Sequence, residues 1–120
     1  MNIENAKSQM RKGMLEYCIL LILKERAAYA SDIIQNLKEA NLLVVEGTLY
    51  PLLTRLKNDG VLAYEWQESS QGPPRKYYKL TDAGHTLLLQ LDGAWRELEN
   101  TVHLLKDRNL NRTTKKLTII

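Results

Sequence analysis

A chain of 120 residues with 17 Lys and Arg, 14 Asp and Glu, two His, one Cys and no Phe suits one compact domain and is too short for two separate cores. Its charged and apolar fractions, 26% and 44%, are ordinary for a soluble globular protein and exclude a disordered chain. One cysteine excludes an internal disulfide, and Cys18 is expected to pack as a small hydrophobe rather than to react.

The apolar run 18–23 is too short to span a bilayer, and residues 1–5 lack the basic start and cleavage site of a signal peptide. A cytoplasmic location is therefore expected. Residues 1–105 carry 12 basic and 13 acidic side chains, whereas 106–120 carry five basic and one acidic. The overall charge of +3 thus comes from the tail, which reads first as a solvated, flexible end and adds only nonspecific phosphate attraction.

In chain order, the pattern predicts a helix over about 7–26, apolar all round at its centre and so buried on more than one side. Ala27-Ala28-Tyr29 read as a short connection. A second helix starts near Ala30, where Ser31 and Asp32 accept from free backbone N–H groups. Ile33, Ile34 and Leu37 form its apolar stripe, and it ends near Ala40 and Asn41.

A third helix runs over 46–59 and stops at Gly60, a good left-handed terminator. Leu49, Leu52, Leu53 and Leu56 share one face. Gly47, Tyr50, Pro51 and Thr54 take the other, with Thr48 and Arg55 at its edge. Pro51 clashes with a preceding helical turn, so either the regular helix begins nearer Thr48 or it bends at Pro51.

A hairpin follows, with strands over 61–67 and 75–80 joined by the turn-forming stretch 69–74. A last helix over 82–106 carries the most regular spacing in the chain. Leu88, Leu91, Trp95, Leu98, Val102 and Leu105 recur every three or four residues, a seam that covers the chain's own domain or meets a second chain, and whose regularity favours a dimer interface.

The order helix, helix, link, helix, hairpin, long helix is that of a winged helix-turn-helix. The fold is predicted to be mainly α with a small β-hairpin: a DNA-binding domain over 7–81, a dimerisation helix over 82–106, and the basic tail 107–120. The major groove admits one α-helix, and the third helix exposes a face suited to it. Gly47 lets backbone approach a phosphate, Thr48 and Tyr50 donate to phosphate oxygens, and Arg55 pairs with a phosphate or forks to a guanine edge. Gly47 and Pro51 are poor helix formers that an idle face would not favour.

The hairpin tip brings Arg75, Lys76 and Lys79 together with no carboxylate between Gln71 and Leu80, a stiff basic wing for a phosphate or the minor groove. Tyr77 and Tyr78 point to opposite faces of the strand. One packs on the domain and the other is free to donate to a phosphate, and Tyr78 is placed among the DNA-contacting residues.

Two stretches also carry a resemblance. Glu46-Gly47-Thr48-Leu49-Tyr50-Pro51-Leu52-Leu53-Thr54-Arg55-Leu56 followed by Asp59-Gly60-Val61-Leu62 resembles the recognition-helix signature of the PadR-like transcriptional regulators. Gly72-Pro73-Pro74-Arg75-Lys76-Tyr77-Tyr78-Lys79-Leu80-Thr81-Asp82-Ala83-Gly84 is similar to that family's wing and the start of its last helix. The likeness spans roughly residues 10–105, and the single C-terminal helix resembles the smaller subfamily. The sequence departs from the family's usual pattern at Ala30-Ser31 and at Val45-Glu46.

The resemblance implies a homodimeric regulator, usually a repressor, that binds double-stranded DNA at an inverted repeat. The last helix and part of the first would build the dimer, with Thr48, Tyr50 and Arg55 in the major groove and Arg75 and Lys76 on the wing. In some members a Trp near position 95 faces its twin and stacks flat aromatic ligands. Trp95 accordingly has two readings, an effector site and a plain dimer core.

Enzymatic chemistry finds little to use. His85 and His103 stand about 27 Å apart along one helix, no cluster offers metal ligands, and neither a Walker loop nor a GxGxxG run is present. No enzyme activity, metal or cofactor is expected. The competing class is a winged-helix protein-interaction module without sequence-specific DNA binding.

Overall fold

The computed structural model describes residues 2–119, and the side chains of residues 2–109. Seven elements follow in chain order: α1 (Ile3–Glu25), β1 (Ala28–Tyr29), α2 (Ala30–Glu39), α3 (Glu46–Asn58), β2 (Leu62–Ser69), β3 (Gly72–Leu80) and α4 (Asp82–Ile119). This is the expected winged helix-turn-helix order with a C-terminal helix. The β-part is larger than expected, because Ala28 and Tyr29 pair with Tyr78 and Tyr77. They form the third strand of a sheet ordered β1-β3-β2.

Local chemistry sets the element ends. The Asn2 side chain accepts from Asn5 N–H at 2.8 Å, so α1 starts earlier than its apolar centre suggests. At α2 the Asp32 carboxylate accepts from Tyr29 N–H at 3.1 Å, placing a negative charge in the first turn. Regular α3 begins at Glu46, so its start is not displaced to Thr48. It passes through Pro51, which has no N–H to give the carbonyl of Gly47. Gly60 follows with φ +82°, the left-handed stop that ends this helix.

Thr81 links the wing to α4. Its hydroxyl donates to the Gly60 carbonyl at 2.7 Å and accepts from Gly84 N–H at 3.0 Å. Its own N–H donates to the Val61 carbonyl at 3.1 Å.

Two compact units divide the chain at Leu88. The core of the first joins Leu15, Ile19, Leu20 and Leu23 of α1 to Ile33 and Leu37 of α2, to Leu49, Leu53 and Leu56 of α3, and to Leu62, Tyr78 and Leu80 of the sheet. No polar or charged side chain is buried among the described residues. The buried positions of α1 form one stripe. Five further apolar residues of α1, Met10, Met14, Cys18, Leu21 and Ile22, line an open groove of about 490 Å³ with Leu37, Ala40 and Leu42. Burial on several sides is thus not reached within one chain. Cys18 is half-buried, and partial desolvation holds its thiol above its ordinary pKa, which keeps it protonated.

The second unit is the remainder of α4. The expected end at Lys106 is passed, and the backbone is helical to Ile119. The basic side chains at 112, 115 and 116 lie outside the described residues. Along this helix Trp95, Leu98, Val102 and Leu105 are exposed. Leu88 corrects the expected seam: it is 2% exposed and belongs to the core of its own first unit, so it is not free to meet a partner. Leu91 is half-buried.

Candidate nucleic-acid interface

The inner face of α3 is fixed by Leu49, Leu53 and Leu56, all buried. A turn of 100° per residue then sends Gly47, Pro51 and Thr54 outward, with Tyr50 on one flank and Thr48 and Arg55 on the other. All six are exposed. A side chain at Gly47 would meet nothing of its own chain within 4 Å, so backbone from outside can come close there.

The two flanks differ. Thr48 shares a shallow hollow with Ser8, Arg11 and Lys12 of α1. Arg55 is tied back to α1, where its guanidinium pairs with the Glu16 carboxylate. Arg55 is exposed and Glu16 partly so, so solvent screens the pair and it contributes little stability, but it holds Arg55 at the edge of the outward face.

On the Tyr50 flank, α3 faces the wing across a groove of about 430 Å³. Its walls are Tyr50, Thr54 and Glu46 on one side and Trp66, Pro74, Arg75 and Lys76 on the other, closed by Tyr29, Ala30 and Ser31 at the start of α2. Tyr78 lines it too, and here the structure corrects the sequence reading. The residue is 3% exposed, and its ring centroid lies 5.7 Å from that of Tyr64. Burial, with the Tyr50 and Tyr64 phenols nearby, pushes its pKa above the ordinary tyrosine value. Tyr78 is therefore the inward member of the pair. Tyr77 is half-buried and packs on Tyr29, ring centroids 4.9 Å apart.

The wing is held in place by contacts that sequence reasoning missed. The Arg75 guanidinium lies 3.9 Å from the centre of the Tyr29 ring and donates to Ser31 Oγ at 2.6 Å. The Tyr29 hydroxyl donates to Gln67 Oε1 at 2.5 Å. β1 thus ties the wing to the start of α2. Stacking on an aromatic face reduces the freedom an arginine loses on binding, so Arg75 is preorganised with its charge at the surface. On the other strand face, Lys76 stands opposite Trp66 in register. Its ammonium lies 4.6 Å from the Tyr64 ring and 5.4 Å from the Trp66 ring. Tyr50 and Thr54 of α3 thus line one groove with Arg75 and half-buried Lys76 of the wing.

Among the described residues no group of His, Cys, Asp and Glu is placed to hold a metal. No described helix is long and apolar enough to cross a membrane.

The model of the transcriptional regulator PadR-like family matches residues 19–90. That span includes α2, α3, the wing and the start of α4. A solved PadR-like transcription factor from Bacteroides fragilis is 69% identical and covers 84% of this chain and 98% of its own, with a TM-score of 0.73. A PadR-like transcriptional regulator from Bacillus cereus is 37% identical, covering 81% of this chain and 95% of its own, with a TM-score of 0.70. A transcriptional regulator of Mycobacterium tuberculosis is 31% identical over 94 residues, 78% of this chain and 87% of the relative.

Proposed function

The chain belongs to the PadR-like family of transcriptional regulators, and on that premise we propose that it is a homodimeric, cytoplasmic repressor that binds an inverted-repeat operator. The observation that carries this reading is the pairing of an outward α3 face, built from Gly47, Thr48, Tyr50, Pro51 and Thr54, with a wing whose Arg75 is already clamped at the surface. One recognition helix enters the major groove, and the wing holds the neighbouring backbone.

The dimer supplies the second half-site. Its support is the exposed row Trp95, Leu98, Val102 and Leu105 on α4, with half-buried Leu91, and the open apolar groove on α1. Both surfaces are more apolar than a lone chain in water favours. Residues 1–88 thus act as the DNA-binding part, α4 beyond them as the dimerisation helix, and the basic residues after 106 as an accessory that adds nonspecific attraction.

Release follows from the same helix. Trp95 is 39% exposed, and two copies of its indole at a dimer axis would bind a flat aromatic effector by dispersion and cation–π contact. Such a ligand acts only if it favours a dimer spacing that no longer fits two successive major grooves.

Salt titration tests the DNA reading. A dimer that neutralises roughly six to eight phosphates loses affinity with a log–log slope of about −5 to −7. A shallow slope with no sequence preference would instead identify a protein-interaction module. Arg75→Ala with Lys76→Ala should weaken binding to all duplexes alike and make the slope shallower by about two for each engaged wing. A loss confined to one operator base would contradict the wing assignment.

Thr54→Ala and Arg55→Ala test base reading. Each is expected to change the ratio between operator and altered operator by roughly five- to fiftyfold at a contacted base pair. An unchanged ratio for Arg55→Ala would leave that residue to its Glu16 pair alone.

A further inference from the structure

Trp66 is the largest exposed aromatic on the wing, 61% exposed, and it belongs to neither the core nor the α4 row. Alternation along β2 puts it on the same strand face as Leu62 and Tyr64, which turn toward the core at the base of the wing. Further out the same face lines the groove opposite Tyr50 and Thr54 of α3. The indole is supported from behind, since Tyr64 meets it edge-on with centroids 5.8 Å apart and planes at 86°. Cations flank the pair: Lys76 lies over both rings, and Lys57 stands 5.8 Å from the Tyr64 ring. Glu46 is the carboxylate on this groove, across from the wing.

We propose that Trp66 is a DNA-contacting residue whose indole packs against the deoxyribose face of one strand of the duplex, where the groove between α3 and the wing opens. The inference rests on the DNA-binding reading above and adds a contact to it. A duplex keeps its bases stacked inward and presents sugar carbons and phosphates along its edge. An indole matches the sugar by dispersion, and the Lys57 and Lys76 ammonium groups match the flanking phosphates. The groove is continuous with the outward face of α3, so a strand held by Tyr50 and Arg75 passes over Trp66. A sugar contact carries no base information, so Trp66 contributes grip and not sequence preference.

The test uses the full-length chain and fluorescently labelled duplexes, one retained most tightly and one scrambled. Trp66→Leu is expected to weaken both by roughly tenfold, from the apolar area no longer covered, with the salt slope unchanged. Trp66→Phe should recover most of the loss. Labelling with 5-fluorotryptophan gives one ¹⁹F signal for each of the two tryptophans, and the signal missing from Trp66→Leu identifies the wing indole. On adding duplex that signal should shift and lose its solvent isotope effect.

Parental affinity in Trp66→Leu overturns the proposal while leaving DNA binding intact. So does weaker binding with an indole that stays as solvent-exposed on the duplex as off it, since Trp66 would then only stiffen the hairpin. A parent chain that binds neither duplex overturns the DNA-binding reading and this contact with it.

Discussion

Val102→Glu should split the dimer and weaken operator binding by roughly a hundredfold or more. Val102 is 49% exposed, between exposed Leu98 and Leu105 on one face of α4, and is not among the buried residues. A carboxylate there costs the isolated chain almost nothing. Within a dimer seam it buries an unpaired charge in each copy, which costs several kcal/mol. Sedimentation at micromolar concentration should show a single chain, with the melting of the DNA-binding part retained. Each half-site would then be held by one copy without the effective concentration that the second supplies. A Val102→Glu protein that sediments like the parent would place the dimer contacts elsewhere.

Gly84→Ala should cost the fold about 2 kcal/mol or more. A Cβ at this position would lie 2.2 Å from the carbonyl oxygen of Val61 and 3.2 Å from Leu80 Cδ2. The first is a backbone atom and cannot rotate aside. It is held there because Thr81 N–H donates to that same carbonyl at 3.1 Å. The first turn of α4 and the Gly60–Val61 turn therefore must part for a methyl to enter, which breaks the link between recognition helix and wing. The melting temperature should fall by roughly 10 °C. Gly60→Ala is the comparison, since that Cβ meets nothing within 4 Å. Its cost comes from φ +82° and is about 1 kcal/mol. A Gly84→Ala chain that melts with the parent would contradict the close approach.

The helices and the wing were readable because their signals are periodic and local. Leu49, Leu53 and Leu56 announce the buried face of α3 by spacing alone, and Gly60 marks its end. The misplaced residues each depend on something distant in sequence. Leu88 continues the spacing of Leu91 and Trp95, and a repeat has the same phase over its own core as over a partner. Nothing in the pattern shows where the helix leaves its own core.

Arg55 sits where a helical wheel puts the edge of the outward face, but the wheel does not contain Glu16, 39 positions earlier. Tyr77 and Tyr78 alternate, and which of them turns inward depends on the face of the sheet that the core covers, which the strand's own pattern does not contain. β1 is two residues long, too short for any alternation, so the Tyr29 and Ser31 clamp on Arg75 had no local signal. Trp66 was visible as an aromatic in a strand, but its place opposite α3 comes from the hairpin's packing.

Two copies are expected to present two recognition helices to one duplex. Random duplexes retained by the purified full-length protein, recovered and sequenced, test it most directly. The expected outcome is enrichment of an inverted repeat whose half-sites lie about 10 base pairs apart, centre to centre. Recovered duplexes with no shared motif, or with a single half-site lacking its inverted copy, would contradict it.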